Sequence, residues 1–397
     1  MSGFPREFYF VISLATLIFI SSTIIQPIFS LYVNDIGATP LELGIIVSLL
    51  SYTTLLTRIP MGMASTRFGS WWVVPFALIG QSSSFFLYSI VTNPSSLYPI
   101  RIFYAITLAA LQPTLMSLVS IVSPEGRKGE GVGMYLTSVG LGQMFGPLLC
   151  SLLLSYFDYR TIFMLSSMMP VIALVLYLVL LRVGALGSHF SRTSQRVESS
   201  VSTWTSLKGI LTKRPVQALT YVRFTFAFGM SIITNFYSVY VVNALGILPS
   251  VWSLLYTLRG LSNTLTRMPA GRLSDRIGRK KPLLFSFMVL TLVFFLLSEV
   301  EGIVMIGVAM LLYGLAHGTR AVSEWAFLGD VVSENDRSLA NSYFSSVFSL
   351  GTALGATITG SAAMFMSTAT ILRIAAIFIG TSIFVVAFTK SENHSNL

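Results

Sequence analysis

The chain has 397 residues, 54% of them hydrophobic and only 10% charged, with a mean hydropathy of +0.77 and a formal net charge of +10. So little charge excludes a water-soluble globular protein, and the sorting of the basic residues described below excludes the nucleic-acid binder that +10 would otherwise suggest. One cysteine, Cys150, and three histidines, His189, His317 and His394, exclude a disulfide framework and a Cys/His metal site.

Apolar stretches of about 20 residues, long enough to cross the hydrocarbon layer as helices, recur along the chain. Twelve are predicted, near 8–32, 41–61, 71–92, 97–122, 131–155, 161–182, 216–242, 250–270, 282–299, 302–330, 339–364 and 370–389. The opening run "MSGFPREFYFVISLATLIFISS" is too apolar for too long to be a signal peptide and no small-residue cleavage site closes it, so it is read as the first span, retained. The alternation expected of an outer-membrane barrel strand is missing. Arg67, Arg127, Lys128, Arg192, Arg196, Lys208, Lys213, Arg214, Arg276, Arg279, Lys280, Lys281, Arg337 and Lys390 fall in connections on one side, whereas the other side holds little beyond Arg160. By the positive-inside rule both termini are expected in the cytoplasm of a multi-pass plasma-membrane protein.

Two copies of one pattern are present. Residue 62 aligns with residue 271, and the same offset of 209 lays "YVNDIGATP" (32–40) over "VVNALGILP" (241–249) and "TRIPMG" (57–62) over "TRMPAG" (266–271). Farther on it pairs Tyr104 with Tyr313, Glu125 with Glu334, Lys128 with Arg337, Gly142 with Gly351 and Gly146 with Gly355. The expected fold is an all-α polytopic membrane protein of twelve transmembrane helices in two six-helix halves related by a pseudo-two-fold axis, with a binding site between them at mid-depth. The expected organisation is an N-terminal bundle over 1–182, a cytoplasmic connection over 183–215 and a C-terminal bundle over 216–397. In the connection Trp204, Leu207, Ile210 and Leu211 recur at helical spacing, with Lys208, Lys213 and Arg214 largely opposite, which suits an amphipathic helix on the inner membrane surface or a plain tether.

The stretch "GRLSDRIGRKK" (271–281) resembles the hallmark loop of the major facilitator superfamily, G-x-L-x-D-R-x-G-R-K/R, through Gly271, Leu273, Asp275, Arg276, Gly278, Arg279 and Lys280. The first copy keeps Gly62, Arg67 and Gly69 but has Ala64, Thr66, Ser70 and Trp71 at the other positions. The resemblance implies a conformational latch at the cytoplasmic helix ends. Asp275 and Arg276 are then the first gate candidates, in a gate set completed by Gly271, Gly278, Arg279, Gly62, Arg67 and Gly69, with Asp330, Glu334 or Arg337 as candidate partners; the first copy has Thr66 at the aspartate position such a latch needs. In the fifth span "GLGQMFGPLL" carries Gly142, Gly146 and Pro147, similar to the G-x-x-x-G-P core of the superfamily's proton-coupled drug exporter branch. Small residues four apart also suit ordinary close packing.

Charges within spans are costly and tend to face a cavity or a partner. Glu324 is the carboxylate placed clearly inside a span, and His317, Arg320 and Glu324 share one helix face by their spacing. Arg223 in the seventh span is expected at a similar depth and Arg101 lies in the fourth; the resemblance makes these spans cavity-lining. Glu324 is the expected proton carrier, its affinity for the proton set by burial and by Arg320 or Arg223, with His317 as relay or substrate guide. The competing reading is a static salt bridge. Gln26 and Asn235, which align at the offset, together with Gln81, Gln112, Tyr104, Tyr237, Tyr313 and Trp325, are the candidate cavity lining.

These features point to secondary active transport of a small molecule by alternating access, with a proton gradient as driving force, no cofactor or metal, no enzymatic activity, and a monomer in the lipid bilayer. Export of amphipathic or drug-like compounds is the first reading. Uptake of a sugar or small organic acid, with Arg101, Arg223 and Arg320 binding an anion, is the second, and a non-transporting membrane sensor the third. No phosphate-binding loop or Ser/His/Asp set is present to support ATP-driven transport or an enzyme.

Overall fold

The computed structural model describes residues 4–124, 126–182 and 203–389. Arg192, Arg196 and His189 of the connection, Glu125, Lys390, His394 and the side chain of Trp204 lie outside the described residues.

Each of the twelve expected spans coincides with helix. The first comprises α1 (Arg6–Ile24) and α2 (Gln26–Asp35), followed by α3 (Pro40–Phe68), α4 (Ser70–Ile90), α5 (Leu97–Val122), α6 (Lys128–Leu153) and α7 (Tyr159–Arg182). A short helix α8 (Thr203–Leu211) precedes α9 (Arg214–Ser231), and α10 (Ser238–Asn243) completes the seventh span. Then come α11 (Pro249–Ile277), α12 (Lys280–Glu299), α13 (Ile303–Val331), α14 (Arg337–Ala362) and α15 (Thr368–Phe388). Among the described residues no strand forms, as expected where lipid offers the backbone no hydrogen-bond partners. Ten of the helical segments are long and apolar enough to cross a membrane. The other two, α11 and α14, run to 29 and 26 residues but carry arginines or a Ser/Thr-rich face.

The repeat is built into the structure. The helices α3 and α11 begin and end 209 residues apart, and so do α6 and α14. Gly69 and Gly278, the turn glycines of the two loop copies, both adopt the left-handed backbone region (φ 74° and 87°), where a side chain would be strained. Spans 1 and 7 are also irregular at matching places. In the first, the helix breaks at Ile25, just before Pro27, whose ring and missing N–H disfavour a continuous helix. In the seventh a π-helical turn runs over Ile232–Tyr237 without any proline.

The chain forms two compact units, one of Met1–Arg196 with Val241–Thr257, the other of Val197–Tyr240 with Leu258–Leu397. Residues 241–257 of the expected C-terminal bundle therefore group with the first unit, where Ser151 Oγ donates to Ser250 O (2.8 Å) and Ser253 Oγ to Pro147 O (2.7 Å). In the first unit α1 packs on α6 and α7, α3 on α5, and α4 on α5 and α7. Its core is apolar, centred on Leu14, Leu111, Leu115 and Val119 with Tyr135. In the second unit α9 packs on α14 and α15, and α12 on α13 and α15. The amphipathic segment expected in the connection is α8: Ile210 is buried, Leu207 and Leu211 are half-buried, and Lys208, Lys213 and Arg214 are exposed. Lys213 Nζ donates to Val331 O (2.8 Å), where a cation complements the C-terminal end of α13.

Candidate functional site

Glu324 lies on α13 about 10 Å, or seven residues, from the end of that helix, and no part of its side chain reaches the surface. Two guanidiniums meet it. Arg320, one turn earlier on the same helix, ion-pairs with Glu324 Oε2, and Arg223 of α9 donates through Nη1 to Oε1 at 3.3 Å. Arg223 is anchored a second time by Nε donating to Phe344 O (2.9 Å). Aromatic rings enclose both cations: Arg320 stands 3.7 Å from the centroid of Phe226, and Arg223 stands 4.7, 5.0 and 5.2 Å from those of Trp325, Phe344 and Phe348. Such contacts contribute about 2 kcal/mol each when desolvated and fix where the charges sit. The expected grouping of Arg223, Arg320 and Glu324 on two facing helices is thus realised.

His317 follows the same face of α13, with its ring 4.8 Å from Phe226 and 6.1 Å from Tyr313. Seven residues separate it from Glu324, an axial distance of about 10 Å, so the two do not hydrogen-bond directly and Arg320 stands between them. Two charged residues that sequence reasoning passed over join this region. Arg259 of α11 is buried and lies 5.2 Å from the Tyr313 ring, and Arg267 Nε donates to Asn263 Oδ1 (3.4 Å). Their helix lies close against α13 because Gly314 and Gly318 carry no side chain. A Cβ on Gly314 would collide with Arg259 O, and one on Gly318 would stand 2.7 Å from Asn263 O.

The hallmark loop forms an ion-pair network that takes in Asp275 and Arg279 of the expected gate set but not Arg276. Arg279, not Arg276, joins the helices: it pairs with Asp275 one turn away and through Nε with Asp330 Oδ2 of α13 at 2.8 Å. Arg276 is exposed and takes no part, and Arg337 pairs locally with Glu334 (3.4 Å). Lys280 Nζ donates to Ala387 O (2.6 Å) and Thr389 O (3.0 Å), tying the end of α15 to the same loop. Gly271 brings α11 close to α13, with 3.3 Å from an added Cβ to Val322, whereas its counterpart Gly62 has open space. In the first copy Ser70 replaces Arg279 and Ile121 replaces Asp330, while Arg67 is exposed and lies only over the neighbouring Phe68 ring. Among the described residues the first half therefore shows no counterpart of this ion-pair network.

The comparisons agree with this architecture. A family model described as Major Facilitator Superfamily matches residues 11–248 and again 219–396. The chain belongs to the Major Facilitator Superfamily. Among curated relatives, the quinolone resistance protein NorA of Staphylococcus aureus (strain Mu50) is 24% identical over 251 residues, 63% of this chain and 62% of that protein. An MFS-type transporter of Methanocaldococcus jannaschii is 25% identical over 152 residues, 38% of this chain and 39% of that protein. The matches thus span less than two thirds of either relative. Among solved structures, the nucleoside transporter NupG superposes with a TM-score of 0.77 at 16% identity, covering 97% of this chain and all of the other. A bacterial homolog to the human lysosomal transporter Spinster superposes with a TM-score of 0.73 at 15% identity, covering 96% and 94%.

In this superfamily member the fifth-span motif makes a close helix seam. An added Cβ on Gly142 would stand 2.6 Å from Phe19 Cβ, and one on Gly146 2.9 Å from Ile24 N, while Thr23 Oγ1 donates to Gly142 O (2.6 Å). Pro147 follows and is absent from the second copy, which nevertheless keeps the seam: a Cβ added to Gly351 would stand 2.8 Å from Phe224 O, and one on Gly355 2.6 Å from Phe228 O. Close packing of α6 on α1 and of α14 on α9 is therefore common to both halves.

Not every candidate lining residue faces open space. Tyr104, Tyr237 and Tyr313 are buried in their own units, because helices apolar on all sides offer no sequence signal for which face is open. Gln81 is buried as well, with Nε2 donating to Ser22 Oγ (2.8 Å). Gln26, Gln112 and Trp325 are exposed, and Asn235 is half-buried with Nδ2 donating to Ser231 O (2.9 Å). Arg101 stands apart from any carboxylate among the described residues: it lies 4.0 Å from the Phe29 centroid, and Nε donates to Ile46 O (3.3 Å).

Proposed function

We propose that this chain is a secondary active transporter that works by alternating access and exports small amphipathic or drug-like molecules in exchange for protons. The observation that carries the proposal is the carboxylate of Glu324, fully buried in a membrane-spanning helix and shared between Arg320 on that helix and Arg223 on α9. Protonation removes the one negative charge that holds the two guanidiniums together. Arg223 and Arg320 are then left as like charges, so the contact between α9 and α13 depends on the proton. Substrate binding that favours one arrangement of these helices becomes linked to proton binding by the same coupling. Similarity to NorA, which its name ties to quinolone resistance, supports the export direction.

On this reading the protein acts as a monomer in the plasma membrane with both termini in the cytoplasm, carries no cofactor, and performs no covalent chemistry on its cargo. The Asp275, Arg279 and Asp330 network then lies on the cytoplasmic side. The test uses proteoliposomes holding a pH-sensitive dye, an imposed proton gradient and a panel of solutes. Solute-dependent proton movement is expected in the wild type and its loss in Glu324→Gln that folds normally. Coupled movement that survives the substitution contradicts the proposed role.

A further inference from the structure

Two buried arginines meet one carboxylate at the centre of the second unit, which leaves a surplus positive charge where charge is expensive. The surroundings add to it. The charges of Arg223 and Arg267 both act on Arg320, and Arg259 lies buried beside Tyr313. Among the described residues Glu324 is the only buried carboxylate. Hydrogen-bonding capacity is also unused at the same place: Arg320 Nε, Ser323 Oγ and His317 Nδ1 are buried without a partner, Arg320 and Ser323 being 2% and 0% exposed. A cationic substrate group brought here meets repulsion. An oxyanion meets two fork-shaped donors suited to bidentate pairing and a spare hydroxyl. Phe226, Trp325, Phe344 and Phe348, already stacked around the guanidiniums, provide an apolar wall for the body of such a molecule.

We propose that the cluster of Arg223, Arg320 and Glu324 recognises the anionic headgroup of an amphipathic organic acid, with Glu324 holding the place of that headgroup while the site is empty. The inference rests on the proposed transport reading, extends this cluster's role from proton coupling to substrate recognition, and narrows the substrate to molecules carrying a carboxylate or similar singly charged oxyanion. Glu324 then competes with the ligand for the same two guanidiniums, which gives the proposal its sign. Removing the carboxylate charge strengthens binding of the anion, whereas a purely structural salt bridge has no reason to do so.

The test is equilibrium binding to the full-length protein in lipid nanodiscs, with 4-phenylbutyrate, its methyl ester and 4-phenylbutylamine as probes. The carboxylate is expected to bind about tenfold or more tighter than the ester or the amine, a difference of about 1.4 kcal/mol. Glu324→Gln should tighten carboxylate binding and leave the ester unchanged. Arg223→Gln should abolish the preference, and Arg223→Lys, which keeps the charge but not the fork, should retain part of it if the glutamine variant fails to fold. Equal affinity for acid and ester, a preference for the amine, or weaker acid binding in folded Glu324→Gln overturns the inference. Coupled proton movement with a solute panel in which anions have no advantage removes this inference and leaves the transport reading standing. Anion binding without solute-driven proton movement does the reverse.

Discussion

In the first unit Leu14, Leu111 and Leu115 meet in an apolar core; 209 residues later the same positions are Arg223, Arg320 and Glu324. The neighbours follow. Leu17, Met116, Tyr135 and Val139 pack on the leucine core, and at the matching positions Phe226, Trp325, Phe344 and Phe348 stack on the arginines. One helical frame thus accommodates either a packed hydrocarbon core or an ion cluster lined with larger aromatic rings. The loops show the same division, because the second half carries the Arg279 network where the first has Ser70 and Ile121. The fold of one half is therefore built without either set of charges.

The comparison breaks most directly if a carboxylate is placed in the leucine core. Leu115→Glu puts an unpaired acid among apolar side chains and should cost several kcal/mol, seen as loss of monodisperse protein in size-exclusion chromatography. Next in size, Arg320→Leu alone strands Glu324 with one partner and should lower stability by about 3–5 kcal/mol, read as the thermal unfolding midpoint in detergent. The combined change of Arg223, Arg320 and Glu324 to leucine copies the first half. It should recover most of that loss, since replacing a buried ion cluster by apolar groups is often neutral or stabilising, while coupled transport stays absent. A triple variant as unstable as the single one contradicts the claim that the frame tolerates both cores.

Smaller effects sharpen the parallel between the helix seams and the contrast between the loops. Gly142→Ala and Gly355→Ala should each destabilise by about 1–3 kcal/mol, because the added methyl meets backbone in both halves. The same thermal measurement checks whether the two costs match. Asp330→Asn removes one half-exposed arm of the Arg279 network and should cost no more than about 1 kcal/mol, less at high salt.

Much of this was legible in the sequence for physical reasons. Span count follows from hydrocarbon thickness, and the repeat follows from one ungapped offset that also fixes the turn glycines Gly69 and Gly278. Helical spacing placed Arg320 with Glu324, and depth counting placed Arg223 opposite them. What escaped depended on direction rather than position. Tyr104, Tyr237 and Tyr313 face their own cores, which helices without a polar face cannot reveal. Arg279 rather than Arg276 reaches Asp330 because α11 ends at Ile277, and the turn at Gly278 carries the later arginine back toward α13. Arg259 and Arg267 were missed although each is an arginine inside an expected span, Arg267 within the very "TRMP" copy that marked the repeat.

On the proposed function, proton coupling resides in the second unit's ion cluster and not in its counterpart. Solute-driven proton movement in proteoliposomes, compared between wild type, Glu324→Gln and the volume-conserving Leu115→Met at the matching position, tests it directly. Coupling is expected to be lost in Glu324→Gln and kept in Leu115→Met; coupling that persists in folded Glu324→Gln overturns the proposed role of the cluster.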